Sequence, residues 1–448
     1  MRFRGLMIAV VLLAALGGAL YWSNKAKSKE AGKPLADTTP KLLSIPEDQF
    51  RKIEIRKAGA EGATVLEKDQ SDKWEITAPQ KLPADQDAIR SMVSTLSSLN
   101  SDRLIEEKAS ELGSYGLASP SLQVTVTKRD GKSEQVLIGD ETPTGSGFFA
   151  KLPGDARVFT VASFNKSSLD KTIKDLRDKR LLTFDSDKLL RVELAAKGQT
   201  VEFSKNAQNE WQILKPRPLR ADSLQVEELI RKLKDAKMDT AVSDEDAKKA
   251  VKTFSGGTQV AAVKATDSGG TQELQVRKDK DKNYAAKSSV VDGVYKVTSD
   301  LGDGLDKGLD DFRNKKLLDF GWNDPSKIEI RQGAAPVTYE KSGEKWMSAS
   351  KQMDSTSMQT LVDKLRDLSS AKFVEKGFTT PVLEATITSN DGKRVEKVAI
   401  SKTGNDCFAK RENELTIYQL DAKVVEELQK ALAGVKEAAP PAKTEKKK

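Results

Sequence analysis

Apolar and polar residues alternate over short stretches, give way to a three-to-four spacing, and return to alternation, and the chain runs through this cycle three times. In the first pass Ile53-Glu54-Ile55 alternates and is followed by Val65-Leu66 and Lys73-Trp74-Glu75-Ile76. Period two marks strands with one buried face, so three short strands are expected. Pro79 and Pro83 stop the extended run. Asp85 then caps a helix in which Ile89, Met92, Val93, Leu96 and Leu99 fall on one face. Alternation resumes at Leu122, Val124 and Val126, and Asp130-Gly131 turns the chain into Gln135-Val136-Leu137-Ile138, a hairpin. Phe148-Phe149-Ala150-Lys151 and Val158-Phe159-Thr160-Val161 follow, and a closing helix ends the pass.

The second pass has Trp211, Pro216 and Pro218, then Asp222 as cap with Gln225 three residues on, and an apolar face of Val226, Leu229, Ile230 and Leu233. The third has Trp346, a shorter loop, Asp354, and the face Met358, Leu361, Val362 and Leu365. Gly269-Gly270 and Asp391-Gly392 supply the matching hairpin turns. Tyr284-Ala285-Ala286-Lys287 and Cys407-Phe408-Ala409-Lys410 echo the first aromatic strand.

A header opens each pass. Lys41-Leu42-Leu43-Ser44-Ile45 returns as Arg180-Leu181-Leu182-Thr183-Phe184 and as Lys316-Leu317-Leu318-Asp319-Phe320. The step of about 140 residues far exceeds the roughly 20 to 50 residues of a solenoid unit, so each copy is long enough to close its own core. The expected fold is α+β: an N-terminal transmembrane helix, then three tandem repeats, each of antiparallel strands with a helix after each strand group. The repeat domains are set at 41–179, 180–315 and 316–434. Almost no linker separates them, which predicts a stiff rod.

The ends differ in character from the repeats. Gly5 to Trp22 carries no charge and is just long enough to span hydrocarbon, with Tyr21-Trp22 suited to the interface. Residues 1–24 are therefore expected to be an anchor, although Gly17-Gly18-Ala19 leaves open cleavage as a signal. Arg2 and Arg4 oppose Lys25, Lys27 and Lys29 in setting orientation. An apolar segment preceding all folded mass is expected to export it. Residues 25–40 read as a flexible stalk and 435–448 as a disordered basic tail.

Composition narrows the chemistry. Lys and Arg number 75 against 67 Asp and Glu, and the net charge of +8 is spread along the chain, which is no nucleic-acid signature. Histidine is absent, removing the commonest general base and zinc ligand. Cys407 is the only cysteine, so an internal disulfide or dithiol pair is excluded. Asp300, Asp303, Asp306, Asp310 and Asp311 lack the order of a calcium loop, and no metal or cofactor is expected. Ser163 and Lys166 have acyltransferase spacing without companion motifs. Ser255-Gly256-Gly257-Thr258 and Ser299 to Gly304 lack phosphate-loop spacing and read as turns. The residues that recur at one place in every copy are Glu54, Glu193 and Glu329, expected on the solvated face of a strand, and Trp74, Trp211 and Trp346, expected over the sheet. The sharper reading makes them partner contacts repeated along the molecule.

Trp74-Glu75-Ile76-Thr77-Ala78-Pro79, Tyr115-Gly116-Leu117 with Pro120, Ile138-Gly139 with Pro143, and Leu176-Arg177-Asp178 with Leu181-Leu182 resemble an uncharacterised bacterial domain-of-unknown-function family. Its genes tend to lie beside ABC transporters of the gliding-motility auxiliary type. Copies two and three lack the Tyr-Gly-Leu and Ile-Gly elements in clean form. The resemblance supplies no catalytic residues. The chain is expected to be a single-pass inner-membrane protein facing the periplasm or exterior and a non-enzymatic accessory or scaffold, and the resemblance alone implies that its partner is an ABC-type transport system. The alternatives are an envelope polymer or lipid binding module and, last, a carboxylate-dependent hydrolase.

Overall fold

The computed structural model describes residues 40–240, 243–321 and 325–439. The expected anchor, the stalk up to residue 39 and the tail from residue 440 lie outside these residues. Among the described residues no helix is long and apolar enough to cross a membrane.

The described chain is α+β, with three antiparallel sheets. The first sheet runs in the order Leu82–Pro83, Trp74–Ala78, Ala63–Lys68, Phe50–Lys57, Leu122–Lys128, Ser133–Glu141, Gly147–Lys151, Val158–Ala162 and Arg103–Glu106. The first four strands meander out to one edge. The helix Gln86–Ser97 then carries the chain to the far edge, and the later strands fill in from the middle outward. The third sheet repeats this order with nine strands, and the second repeats its first eight positions among the described residues.

The strands and helices form where the pattern requires them. Ile53 and Ile55 are buried on one side of their strand, while Glu54 between them is half-buried on the other. Asp85 Oδ1 accepts from the Asp87 and Ala88 amides at 3.0 and 3.1 Å, and Asp222 and Asp354 do the same work at Ser223–Lys234 and Ser355–Arg366. Such a cap satisfies donors that the first helical turn leaves unpaired. The apolar faces expected of these helices are the buried ones: Ile89, Met92, Val93 and Leu96 in the first, Val226, Leu229, Ile230 and Leu233 in the second. Each sheet has its own core cluster, with the Leu-Leu header inside it.

After the closing helices the chain returns to the starting edge of the sheet. Arg177 bridges Ala84, Arg313 bridges Ala221, and Glu437 bridges Met353. Residues 435–439, read as the start of a disordered tail, are thus pinned: the Ala438 amide donates to Gln352 O at 2.8 Å and Lys351 Nζ lies 2.5 Å from Glu437. The edge strand Lys351–Gln352 would otherwise expose unpaired backbone groups, and this segment covers it.

Two readings need correction. Ser299–Leu305 is a helix, not a turn, and its Gly302 admits the Tyr284 ring, which a Cβ there would meet at 2.1 Å. Gly256 ends a helix, Asp244–Gly256, that the sequence pattern did not announce. Its cap is good, the Ser243 hydroxyl accepting from Asp246 N at 3.2 Å, but its apolar face is thin, with only Ala250 and Thr253 buried.

The chain divides into two compact units, Met1–Lys179 and Arg180–Lys448. The first holds the first sheet, and the second holds the other two.

Candidate functional site

Each sheet carries one of the recurring glutamates and one of the recurring tryptophans. Glu54 sits 3.0 Å from Arg56 and 3.6 Å from Lys52. Glu193 lies opposite Glu202 and Lys264 across its two neighbouring strands. Glu329 lines a shallow groove of about 460 Å³ on the third sheet. The tryptophans are packing anchors, 7 to 8% exposed and inside the cores. Gln86 ties Trp74 to the helix start, accepting from its amide at 3.0 Å and donating to its carbonyl at 2.8 Å.

The aspartates Asp300 to Asp311 diverge into separate tasks. Asp300 pairs with Lys232 at 2.6 Å, Asp303 accepts from the Tyr284 hydroxyl at 2.5 Å, and Asp311 accepts from the Gly308 amide at 2.7 Å. Among the described residues no group of His, Cys, Asp or Glu is arranged to hold a metal ion. Lys166 is engaged by Asp170 at 2.6 Å, and Cys407 is buried, which pushes its thiol pKa up and away from nucleophilic use.

The family-like glycines also prove to be structural. Gly139 lets the Tyr115 carbonyl come so close that a Cβ would lie 2.1 Å from it. The Tyr115 ring then packs edge-on against Phe149 at 4.9 Å, and its hydroxyl donates to Glu106 at 2.8 Å. Phe149 occupies the register position held by Ala285 in the second sheet and Phe408 in the third, paired with Thr160, Lys296 and Gln419 respectively. Where the aromatic ring is present a loop covers it. Where Ala285 leaves room, the helix Asp244–Gly256 packs against the strands instead.

A cleft of about 840 Å³ lies within the second unit, between the second and third sheets. Its wall is a network of arginines and carboxylates that crosses from one sheet to the other. Arg220, on the edge strand Leu219–Arg220, pairs with Asp319 of the third header and donates to Lys316 O at 2.8 Å. Arg394 reaches Glu210 at 3.5 Å, Glu396 at 3.5 Å and Asp319 at 3.7 Å. Arg411 holds Glu396 at 2.9 Å and Glu414 at 2.7 Å, and it donates to Leu317 O. Glu396, 4% exposed, also accepts the Asp319 amide at 3.0 Å. The Tyr418 hydroxyl completes the set, donating to Glu414 at 2.7 Å.

Burial gives these contacts their strength, since desolvated charges attract more and tolerate isolation less. Burial alone would depress the Arg220 pKa, but Asp319, Tyr418 and Glu414 outweigh it and raise the value. Burial, with Glu414 beside it, pushes Tyr418 up to about 12. The second sheet does the corresponding job with neutral groups. Ser288 donates to Leu181 O and Gln272 Oε1 accepts from the Thr183 amide at 2.7 Å, where the third sheet uses Arg411 and Glu396.

Sequence reasoning missed this network because it looked for identities among the copies. The signal lies in the differences: the position of Arg220 is Pro83 in the first copy, and that of Asp319 is Ser44 and Thr183 in the others.

No curated protein and no solved structure matches the chain. One family matches twice, over residues 74–218 and again over 211–390, each match beginning at the tryptophan strand of one copy and reaching into the next. On these two matches, which together cover most of the sequence, the chain belongs to the family described as Domain of unknown function (DUF4340).

Proposed function

We propose that the protein is a membrane-anchored, extracytoplasmic accessory or scaffold protein that works with an ABC-type transport system by presenting surfaces to protein partners. The observation that carries this reading is the state of the cleft between the second and third sheets, where Asp319 and Glu414 are held by arginine, Glu210 lies beside Arg394 and Asp222 caps a helix. A carboxylate fixed in this way is poorly placed to take a proton from a substrate. The apolar run Gly5 to Trp22 supports the anchor, with the bulk of the chain on the far side of a bacterial inner membrane. The transporter partner rests on the family's gene neighbourhood.

Affinity purification of the full-length protein from its native membrane in gentle detergent tests the proposal. Co-recovery of transporter subunits is expected, and recovery of the protein alone would overturn it. An envelope polymer or lipid binding module is the second reading. It loses the tryptophans as ligand contacts, because all three are buried, but keeps the basic surface.

A further inference from the structure

The charges lining the cleft between the second and third sheets are unevenly matched. Its carboxylates are committed. Asp222 caps a helix, Asp319 and Glu414 are held by Arg220 and Arg411, and Glu210 lies beside Arg394. Arg217, Lys315 and Lys316 also line the cleft, all three are exposed, and none has a carboxylate within 4.0 Å among the described residues. Leu224 and Leu415 stand beside them, 76% and 92% exposed. Surface leucines so uncovered are individually ordinary, but two of them at one cleft beside three unopposed cations form a combined feature.

The volume of about 840 Å³ suits a ligand of some size. A small polar metabolite would leave the leucines in water. A nucleic-acid strand needs a continuous basic track with aromatic platforms, whereas Arg220, Arg394 and Arg411 are neutralised here. An extended peptide carrying carboxylates and an apolar side chain matches both features, the charges steering and the leucines holding.

We propose that this cleft docks an acidic segment, containing leucine or aromatic residues, of a partner protein. The proposal rests on the scaffold reading and specifies the chemistry of its partner.

The test is selection of a random-peptide phage library on the purified full-length protein, followed by affinity measurement on the enriched peptides. Two variants serve as controls, R217E/K315E/K316E and L224S/L415S, all at exposed positions outside the cores. Enrichment of Asp and Glu with Leu or an aromatic residue is expected, with binding weakened at least tenfold in each variant and falling as salt rises. Failure to enrich acidic peptides, or equal binding to wild type and both variants, would overturn the proposal. So would anionic phosphatidylglycerol vesicles binding in a manner lost in the triple variant while no peptide is selected. Acidic peptides that bind the cleft while membrane purification yields no transporter subunit would remove the transporter assignment and leave the cleft intact.

Discussion

At the scale of single residues, close approach and capping account for most of the positions that recur or stand out. Gly139 is needed for space, because the Tyr115 carbonyl occupies the volume a Cβ would take. Gly139→Ala should therefore cost about 1 to 3 kcal/mol, read as a lower melting temperature, whereas the cost at Gly131, with open space around it, comes only from its φ of 81°. Asp85→Ala should cost about 0.5 to 2 kcal/mol through loss of the cap, measured by denaturant unfolding. Tyr418 gives a pH signature. Its folded pKa of about 12 lies above the ordinary tyrosine value of 10.0, so the protonated phenol favours the folded state. That contribution is complete below about pH 10 and is lost as pH rises toward 12. Tyrosinate absorbance should show a late phase shared by Tyr418 and Tyr284, the latter also raised to about 12 by its hydrogen bond to Asp303, and Tyr418→Phe should shrink that phase without abolishing it.

At the scale of elements, the same strand order is finished differently in the second sheet. Phe149 and Phe408 take the register position that Ala285 holds. An alanine leaves a shallow surface on which a weakly amphipathic helix can sit, and Asp244–Gly256 packs there. Ala285→Phe should expel that helix by overpacking, at a cost of about 1 to 3 kcal/mol. Amide exchange would report it as lost protection over 244–256 with the rest of the sheet unchanged. Asp279 supports the same region, accepting from the Thr253 hydroxyl at 2.8 Å and from Asn283 Nδ2 at 3.0 and 3.1 Å. These contacts, Asn283 first, bring its pKa down to about 2. Their support should persist above the ordinary aspartate pKa and disappear as pH falls toward 2.

At the scale of the whole molecule, the division at Lys179 and Arg180 assigns the first sheet to one unit and the other two sheets to another. A fragment covering 40–179 has a complete sheet and its own core, so it should fold by itself and unfold in one cooperative transition. A fragment covering 180–439 should also unfold in a single transition, because Arg220, Arg394 and their carboxylates join its two sheets. Arg220→Ala removes one side of a pair whose members are 20 and 23% exposed. The loss should be roughly 3 to 5 kcal/mol, near the lower end because Arg394 remains 3.7 Å from Asp319. Calorimetry should then resolve two transitions in that fragment; a single unchanged transition would show the network to be unimportant for coupling.

The strands, the three capped helices and the hairpin turns were legible because period-two and three-to-four patterns are local, and because burial on one face imposes them wherever the element sits. Asp85, Asp222 and Asp354 could be named as caps for the same reason. The helix Asp244–Gly256 was not legible, since its stability depends on a small residue about thirty positions further along, at Ala285, which leaves it a place to pack. The cleft was invisible for a related reason. Arg220, Asp319 and the paired strands that carry Glu396 and Arg411 come from three separate stretches, and only folding, by burying them together, turns ordinary surface charges into a mutually dependent set.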